Sequence, residues 1–124
     1  MTGPRGDAAT SDAGVVHEPR ACSVALARAF GFLGKRWNGV ILGTLIAGPA
    51  GYAALRRALG GISDSVLSAR LAELTSAGLL ERTVEPGPPL QVRYALSPSG
   101  EALVPALRAI SDWGSAHLPD DAGC

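Results

Sequence analysis

The stretch 60–80 constrains the fold of this chain more than any other segment, because it holds both ends and the buried face of one predicted helix. A Gly-Gly pair predicts a turn. Ser63 after it is a suitable N-cap, and the acidic residue that follows suits the positive end of the helix dipole. Gly78 is the residue type expected just beyond the C-terminal end. Leucines at i, i+4 and i+7 form one apolar stripe: Leu67, Leu71 and Leu74.

The face opposite this stripe carries short side chains, and Arg70 lies on its flank. A capped helix with a small polar face can come close to another surface, and the major groove of DNA is wide enough to take it. The alternative is an ordinary amphipathic helix with a solvated face. This stretch alone leaves both interpretations open. The short side chains are Ser65, Ser68, Ala69 and Ala72.

The length of 124 residues predicts one domain with a modest core, and small proteins of this kind often gain burial by dimerising. Hydrophobic residues make up 47% of the chain and aromatic residues only 5%, so the core should be mostly aliphatic. The most apolar run, 40–47, is too short to cross a bilayer. The N-terminus lacks the apolar region of a secretory signal. We therefore expect a cytoplasmic protein without a membrane partner.

The net charge is zero, but the charges are unevenly distributed. The segment 28–93 holds eight basic and four acidic residues, an excess of +4, while the tails hold the balancing acid. This excess mildly supports a polyanionic partner. Ten of the eleven cations are Arg, which suits bidentate contacts with phosphate and guanine, although a GC-rich genome produces the same bias.

The order of the predicted elements indicates a winged helix. Two short helices joined by a Gly-containing turn form a helix-turn-helix candidate, and a β-hairpin follows it directly. The fold class is therefore mainly α with a small β-hairpin wing (α+β): a winged helix-turn-helix with extra N- and C-terminal dimerisation helices. We expect a disordered leader over 1–19, the folded domain over 20–118 and a tail over 119–124. The other predicted helices span 23–33, 35–47, 52–59 and 98–117, and the predicted strands span 80–85 and 90–96.

The terminal helices carry more apolar surface than a small winged domain covers alone. A twofold dimer built from both helices would bury this surface. The alternative is that these helices pack on their own domain. The candidate interface residues are Phe30, Leu103, Leu107, Ile110 and Trp113.

Several motifs occur together in this order of elements, including Leu33-Gly34-Lys35-Arg36-Trp37, Gly61-Ile62-Ser63, Ala77-Gly78-Leu79-Leu80 and Tyr94-Ala95-Leu96-Ser97. With these motifs the chain resembles the HxlR-type winged helix-turn-helix transcriptional regulators. The resemblance covers nearly all of the predicted folded part. It implies a homodimer that binds a pseudo-palindromic operator in double-stranded DNA, as repressor or activator.

The resemblance also implies which residues contact DNA. Arg70 is the leading candidate, with a surface ion pair to Glu73 as its alternative. The two arginines of the preceding helix contact phosphates or lie on a solvated face. The two arginines of the wing reach the flanking minor groove or backbone, or else pair with a glutamate across the wing. The implied DNA-binding set is Tyr52, Arg56, Arg57, Ser63, Ser65, Ser68, Arg70, Arg82 and Arg93.

Some positions depart from the pattern of the family. Gly51-Tyr52 stands where the family usually has Arg-Phe, and Ser65 stands where it often has Lys. Arg93 adds a cation where the family has Glu. Because phosphate contacts set much of the affinity for DNA, we expect modest rather than tight binding.

Cys22 lies just before the first predicted helix, where the positive dipole end lowers the pKa of a thiol. The resemblance implies that a cysteine at this place senses oxidants or electrophiles such as quinones and aldehydes. A bridge from Cys22 to Cys124 of the second subunit is one redox hypothesis. The alternative is a structural Cys22 and an incidental Cys124. In that case the input is a small-molecule effector.

The sequence contains no nucleotide-binding loop, metal-ligand cluster or nucleophile motif. We therefore expect no enzyme activity, no cofactor and no metal. Two functions stay open: a dimeric DNA-binding transcriptional regulator, and a winged-helix protein–protein interaction module without specific DNA binding.

Overall fold

The computed structural model describes residues 23–120, and within them the chain forms five α-helices and one three-stranded antiparallel sheet. This architecture confirms the predicted winged helix. The predicted leader and both cysteines lie outside the described residues. The helices are α1 (Val24–Leu33), α2 (Asn38–Thr44), α3 (Tyr52–Leu59), α4 (Asp64–Ser76) and α5 (Pro98–His117), and the strands are β1 (Ala50–Gly51), β2 (Leu80–Glu85) and β3 (Gln91–Leu96).

Helix α4 begins and ends where its local sequence predicts. The Ser63 side chain accepts a hydrogen bond from the backbone N–H of Val66 at 3.2 Å, which satisfies one free donor of the first turn. Gly78 follows the C-terminal cap with a φ of +83°, a conformation that glycine adopts without strain. The structure thus confirms the predicted bounds of this helix. They could be predicted because both signals are local.

Helix α2 begins three residues later than the predicted start at residue 35. The chain first turns at Gly34, whose backbone N–H donates to the Phe30 carbonyl at 2.7 Å. Asn38 then starts the helix, and its side-chain Nδ2 donates to the Phe32 carbonyl at 3.0 Å. These bonds to the end of α1 compete with an earlier helix start. At its other end α2 tightens into a 3-10 turn over Leu45–Ala47.

The sheet contains one strand that the sequence did not reveal. Strands β2 and β3 pair from Leu80↔Leu96 to Glu85↔Gln91, as the hairpin prediction requires. Strand β1 pairs with the other edge of β3 through Ala50↔Tyr94 and Gly51↔Arg93. A strand of two residues has no alternating pattern, so only this long-range pairing defines it.

The core is aliphatic and lies between α2, α3, α4 and the start of the hairpin. The three leucines of the α4 stripe are 0–1% exposed. This agrees with the low aromatic content of the chain. The buried hydrophobic residues are Ile41, Leu42, Leu45, Leu55, Leu59, Ile62, Leu67, Leu71, Leu74, Leu80 and Leu96.

Helix α5 is fixed to the turn between α4 and β2. Ser97 caps α5 by accepting from the Gly100 N–H at 3.1 Å, and its hydroxyl donates to the Gly78 carbonyl at 2.5 Å. The Ser97 backbone N–H donates to the Leu79 carbonyl at 3.0 Å. These bonds set the direction in which α5 leaves the winged domain. Among residues 23–120 no helix combines the length and hydropathy of a membrane span.

The close approach at Gly100 predicts a specific loss of stability. A Cβ at this position would overlap the Leu79 carbonyl oxygen, which is backbone and cannot move aside cheaply. Gly100→Ala should lower the free energy of unfolding by about 1–3 kcal/mol, measured by urea denaturation at fixed protein concentration. Gly114→Ala in the same helix is the control. Its Cβ would lie 3.8 Å from Leu118, and it should be neutral or stabilise by about 0.5–1 kcal/mol. Equal effects of the two substitutions would contradict this account.

Candidate nucleic-acid interface

Because its leucine stripe is buried, α4 presents the opposite face to solvent. We call this exposed set, Ser65, Ser68, Ala69 and Ala72, the small-residue face. No side chain in it is longer than a serine. A helix with such a face allows a close approach of its backbone to a groove, as the sequence predicted.

Two serines at the start of α4 have different roles in the structure. The Ser63 hydroxyl is engaged by the Val66 N–H as the helix cap, and it lies 3.3 Å from the Ser65 hydroxyl. Ser65 is exposed and makes no other hydrogen bond within the described part of the chain. Ser63 therefore shapes the helix end, and Ser65 is the serine that is available to a ligand.

Tyr52 and Arg56, both on α3, fix the beginning of α4 through one carboxylate. The Tyr52 hydroxyl donates to Asp64 Oδ1 at 2.9 Å and accepts from the Ser68 hydroxyl at 3.4 Å. The Arg56 Nε also contacts Asp64 Oδ1, at 2.9 Å. Arg57 is exposed and forms no ion pair with any other residue of the described range 23–120. The arrangement engages Arg56 within the protein and leaves the Arg57 guanidinium to solvent.

A cleft of about 340 Å³ lies between α4 and the hairpin. Arg82 of β2 lines it together with Tyr52 and Ser68, and Arg82 pairs across the strands with Tyr94. Arg82 has no ion-pair partner among residues 23–120. The other wing arginine, Arg93, contacts Glu85 at 3.3 Å, which is the cross-strand alternative considered from the sequence. The wing thus offers one cation next to the small-residue face.

Arg70 lies outside the small-residue face of α4 and pairs with Glu73, three residues further along the same helix. Its Nη1 is 3.4 Å from Glu73 Oε1, and its side chain is 24% exposed. The ion pair that was the alternative for Arg70 is therefore present, and a DNA contact of Arg70 stays a prediction. Lys35 Nζ is 2.5 Å from the other Glu73 oxygen.

The carboxylate of Glu73 is the centre of a small polar cluster, of which the sequence predicted only the possible pair with Arg70. The hydrogen bond from Lys35 is the main reason why the pKa of Glu73 is lowered, while partial desolvation acts in the opposite direction. Asn38 Nδ2, 3.4 Å from Glu73 Oε1, and Arg70 lower it further. Lys35 belongs to a conspicuous motif, but nothing local in the sequence links it to Glu73, 38 positions away.

The five candidate interface residues fall into two groups. Phe30, Ile110 and Trp113 are 56%, 51% and 55% exposed. Leu103 and Leu107 are half-buried against the core. A groove of about 820 Å³ between α1, α2 and α5 is lined by Phe30, Leu107 and Ile110. The terminal helices therefore bury Leu103 and Leu107 in part on their own domain and leave Phe30, Ile110 and Trp113 exposed.

The predicted redox residues Cys22 and Cys124 lie outside the described residues, so the structure gives no geometry for them. Within residues 23–120 no group of His, Cys, Asp or Glu side chains is arranged to hold a metal ion.

Comparisons with known proteins bear on this arrangement. The model of the HxlR-like helix-turn-helix family matches residues 32–122. The HTH-type transcriptional regulator YodB of Bacillus subtilis (strain 168) is 36% identical over 97 residues, which cover 77% of this chain and 87% of YodB.

Solved structures agree with the sequence match. Reduced YodB from B. subtilis superposes with a TM-score of 0.71 at 33% identity, over 82% of this chain and 100% of that one. Diamide-treated YodB gives a TM-score of 0.66 at 32% identity over the same shares, 82% and 100%. The redox regulator HypR in its oxidized form gives 0.73 at 25% identity, over 77% of this chain and 99% of that one.

Proposed function

The chain belongs to the HxlR-like helix-turn-helix family of transcriptional regulators, and from this we propose that it binds a pseudo-palindromic operator in double-stranded DNA as a homodimer. The observation that carries this proposal is the small-residue face of α4. It is exposed, it belongs to a helix capped at Ser63, and the cleft with Arg82 lies beside it.

The side chains of the interface set the expected character of binding. Serine hydroxyls can exchange hydrogen bonds with base edges, and alanine methyl groups can contact the methyl group of thymine. Such contacts discriminate weakly. Four of the cations already pair with a carboxylate of the protein: Lys35, Arg56, Arg70 and Arg93. Few cations near α4 therefore remain unpaired and able to contact DNA phosphates. The affinity for DNA should be modest and moderately dependent on salt.

The exposed apolar residues of the terminal helices support a twofold dimer. A second copy of the chain is the occupant that we propose for the groove between α1, α2 and α5. Exposed Phe30, Ile110 and Trp113 would leave water together when two copies pack through these helices. In such a dimer the two α4 helices would be related by the twofold axis, which is the symmetry of a pseudo-palindromic operator.

We also propose that the protein senses oxidants or electrophiles through a cysteine thiol. Two relatives point to it, since one was solved after treatment with diamide and the other is a redox regulator. For this chain the sensing thiol would be Cys22, and Cys124 of the second subunit would be its disulfide partner. Diamide accepts the two hydrogens that the thiols lose when the disulfide forms. A small-molecule effector is the competing input.

Arg82 should contribute one phosphate contact. Arg82→Ala should lower the operator affinity several-fold and reduce the slope of log affinity against log salt by about 0.9, because one fewer counterion is released. Fluorescence anisotropy over a salt series measures both quantities. Arg28→Ala, which removes an exposed cation on α1, is the control and should leave the slope unchanged. An unchanged slope for Arg82→Ala would remove this residue from the interface.

Ile110 tests the dimer. Ile110→Glu should convert the dimer to a monomer at micromolar concentration, because the interface would have to bury a charge without a partner. Sedimentation velocity gives the oligomeric state directly. Val84→Glu makes the same change at an exposed apolar residue of β2 and should leave the dimer intact. A dimeric Ile110→Glu variant, or a monomeric wild type, would contradict the proposed interface.

Substitution of Cys22 tests whether its thiol senses the oxidant. Diamide should weaken operator binding of the wild type about tenfold, and dithiothreitol should restore it, whereas Cys22→Ser should not respond. Cys124→Ser separates the two thiol mechanisms: it loses the response if a disulfide is required and keeps it if Cys22 reacts alone. If Cys22→Ser responds like the wild type, the thiol is not the switch and the input is a small-molecule effector.

A further inference from the structure

We propose that Glu73 is a positioning residue for DNA recognition, which ties α4 to the junction of α1 and α2 and holds Arg70 away from the DNA. The inference rests on the proposed function, since it concerns how α4 is presented to the operator. Glu73 itself lies off the small-residue face and does not contact DNA in this account.

The carboxylate of Glu73 collects donors from three places in the chain. Oε2 contacts Lys35, in the turn between α1 and α2, at 2.5 Å. Oε1 contacts Asn38 at the start of α2 and Arg70 on α4, both at 3.4 Å. Hydrogen bonds to an ionised group are stronger than neutral ones, and through them this one side chain links α4 to α2.

Asn38 extends the cluster to α1. It is fully buried, and its Nδ2 donates to both the Phe32 carbonyl and Glu73. The Oδ1 of Asn38 and the Nε of Arg70 are buried without a hydrogen-bond partner among the described residues. Leaving buried polar atoms unpaired costs free energy. The cluster lies at the edge of the aliphatic core, where Asn38 is buried and the side chains of Glu73 and Lys35 are 28% and 45% exposed.

The charges of the cluster explain what it contributes to recognition. Glu73 neutralises two cations, Arg70 on α4 and Lys35 in the turn between α1 and α2. Without the carboxylate both cations would be unpaired, and a contact of either with a phosphate would carry no base information. By holding them, Glu73 leaves the small-residue face to determine how α4 meets the groove. Its loss should therefore weaken specific binding without weakening nonspecific binding.

The test compares two affinities of Glu73→Gln with those of the wild type. The operator is first selected by the wild-type protein from a random-sequence duplex pool, and an unrelated duplex of the same length reports nonspecific binding. We expect the ratio of specific to nonspecific affinity to fall about tenfold in Glu73→Gln, with nonspecific affinity equal or higher and the salt slope equal or steeper. Glu81→Gln makes the same charge change on exposed β2 and should change the ratio by less than about twofold.

Arg70→Ala is the second variant. If Glu73 holds Arg70 away from DNA, this substitution should leave the salt slope unchanged and the operator affinity within about threefold of the wild type. A slope lower by about 0.9 together with a large loss of affinity would show that Arg70 contacts a phosphate, and would overturn the inference.

A purely structural role of Glu73 gives a different result. Loss of folded protein lowers both affinities of Glu73→Gln by the same factor and leaves their ratio unchanged, which also overturns the inference. Thermal melting of each variant identifies that case. A wild-type protein that selects no operator contradicts the proposed function itself, and the wild-type measurement distinguishes this failure from a failure of the variants.

Discussion

The burial of one leucine stripe determines how the rest of this structure can work. Leu67, Leu71 and Leu74 are essentially inaccessible to water, so α4 cannot rotate about its axis without exposing them. The face that remains outside is therefore fixed by the face that is inside. Ser97 and Gly100 then pack α5 onto the turn that ends α4. Helix α4, which is proposed to contact DNA, and helix α5, which is proposed to dimerise, are thus both held at the turn that follows α4.

Many of the charged side chains of this molecule pair with one another within the chain. The net charge of the chain is zero, so any long-range attraction for DNA comes from the excess of +4 over residues 28–93. The cations near α4 are mostly held by carboxylates, as Asp64 holds Arg56 and Glu85 holds Arg93. In the proposed function, recognition depends on the fit of the small-residue face of α4 into a groove, and the ion pairs orient that helix.

Features set by neighbouring residues were predictable from the sequence, and features set by distant contacts were not. The bounds of α3 and α4, the hairpin and the cap of α5 follow from periodicity and capping residues within a few positions. Strand β1 exists only because Ala50 and Gly51 pair with β3, more than 40 residues away. The late start of α2 depends on the Asn38 bond to α1. The serine and alanine face was predicted as a candidate interface, as was the pair of Arg70 with Glu73, but no local pattern connects Glu73 with Lys35 and Asn38.

The measurement that tests the central claim most directly is fluorescence anisotropy of the purified protein on a duplex from the DNA upstream of its own gene, at two salt concentrations. The account predicts binding that is specific over an unrelated duplex and weaker at the higher salt concentration, since phosphate contacts release counterions. Suppose instead that no duplex, including a genomic pool, binds above the nonspecific level at low salt. Then the proposed operator binding is wrong, and the winged helix serves as a protein–protein interaction module.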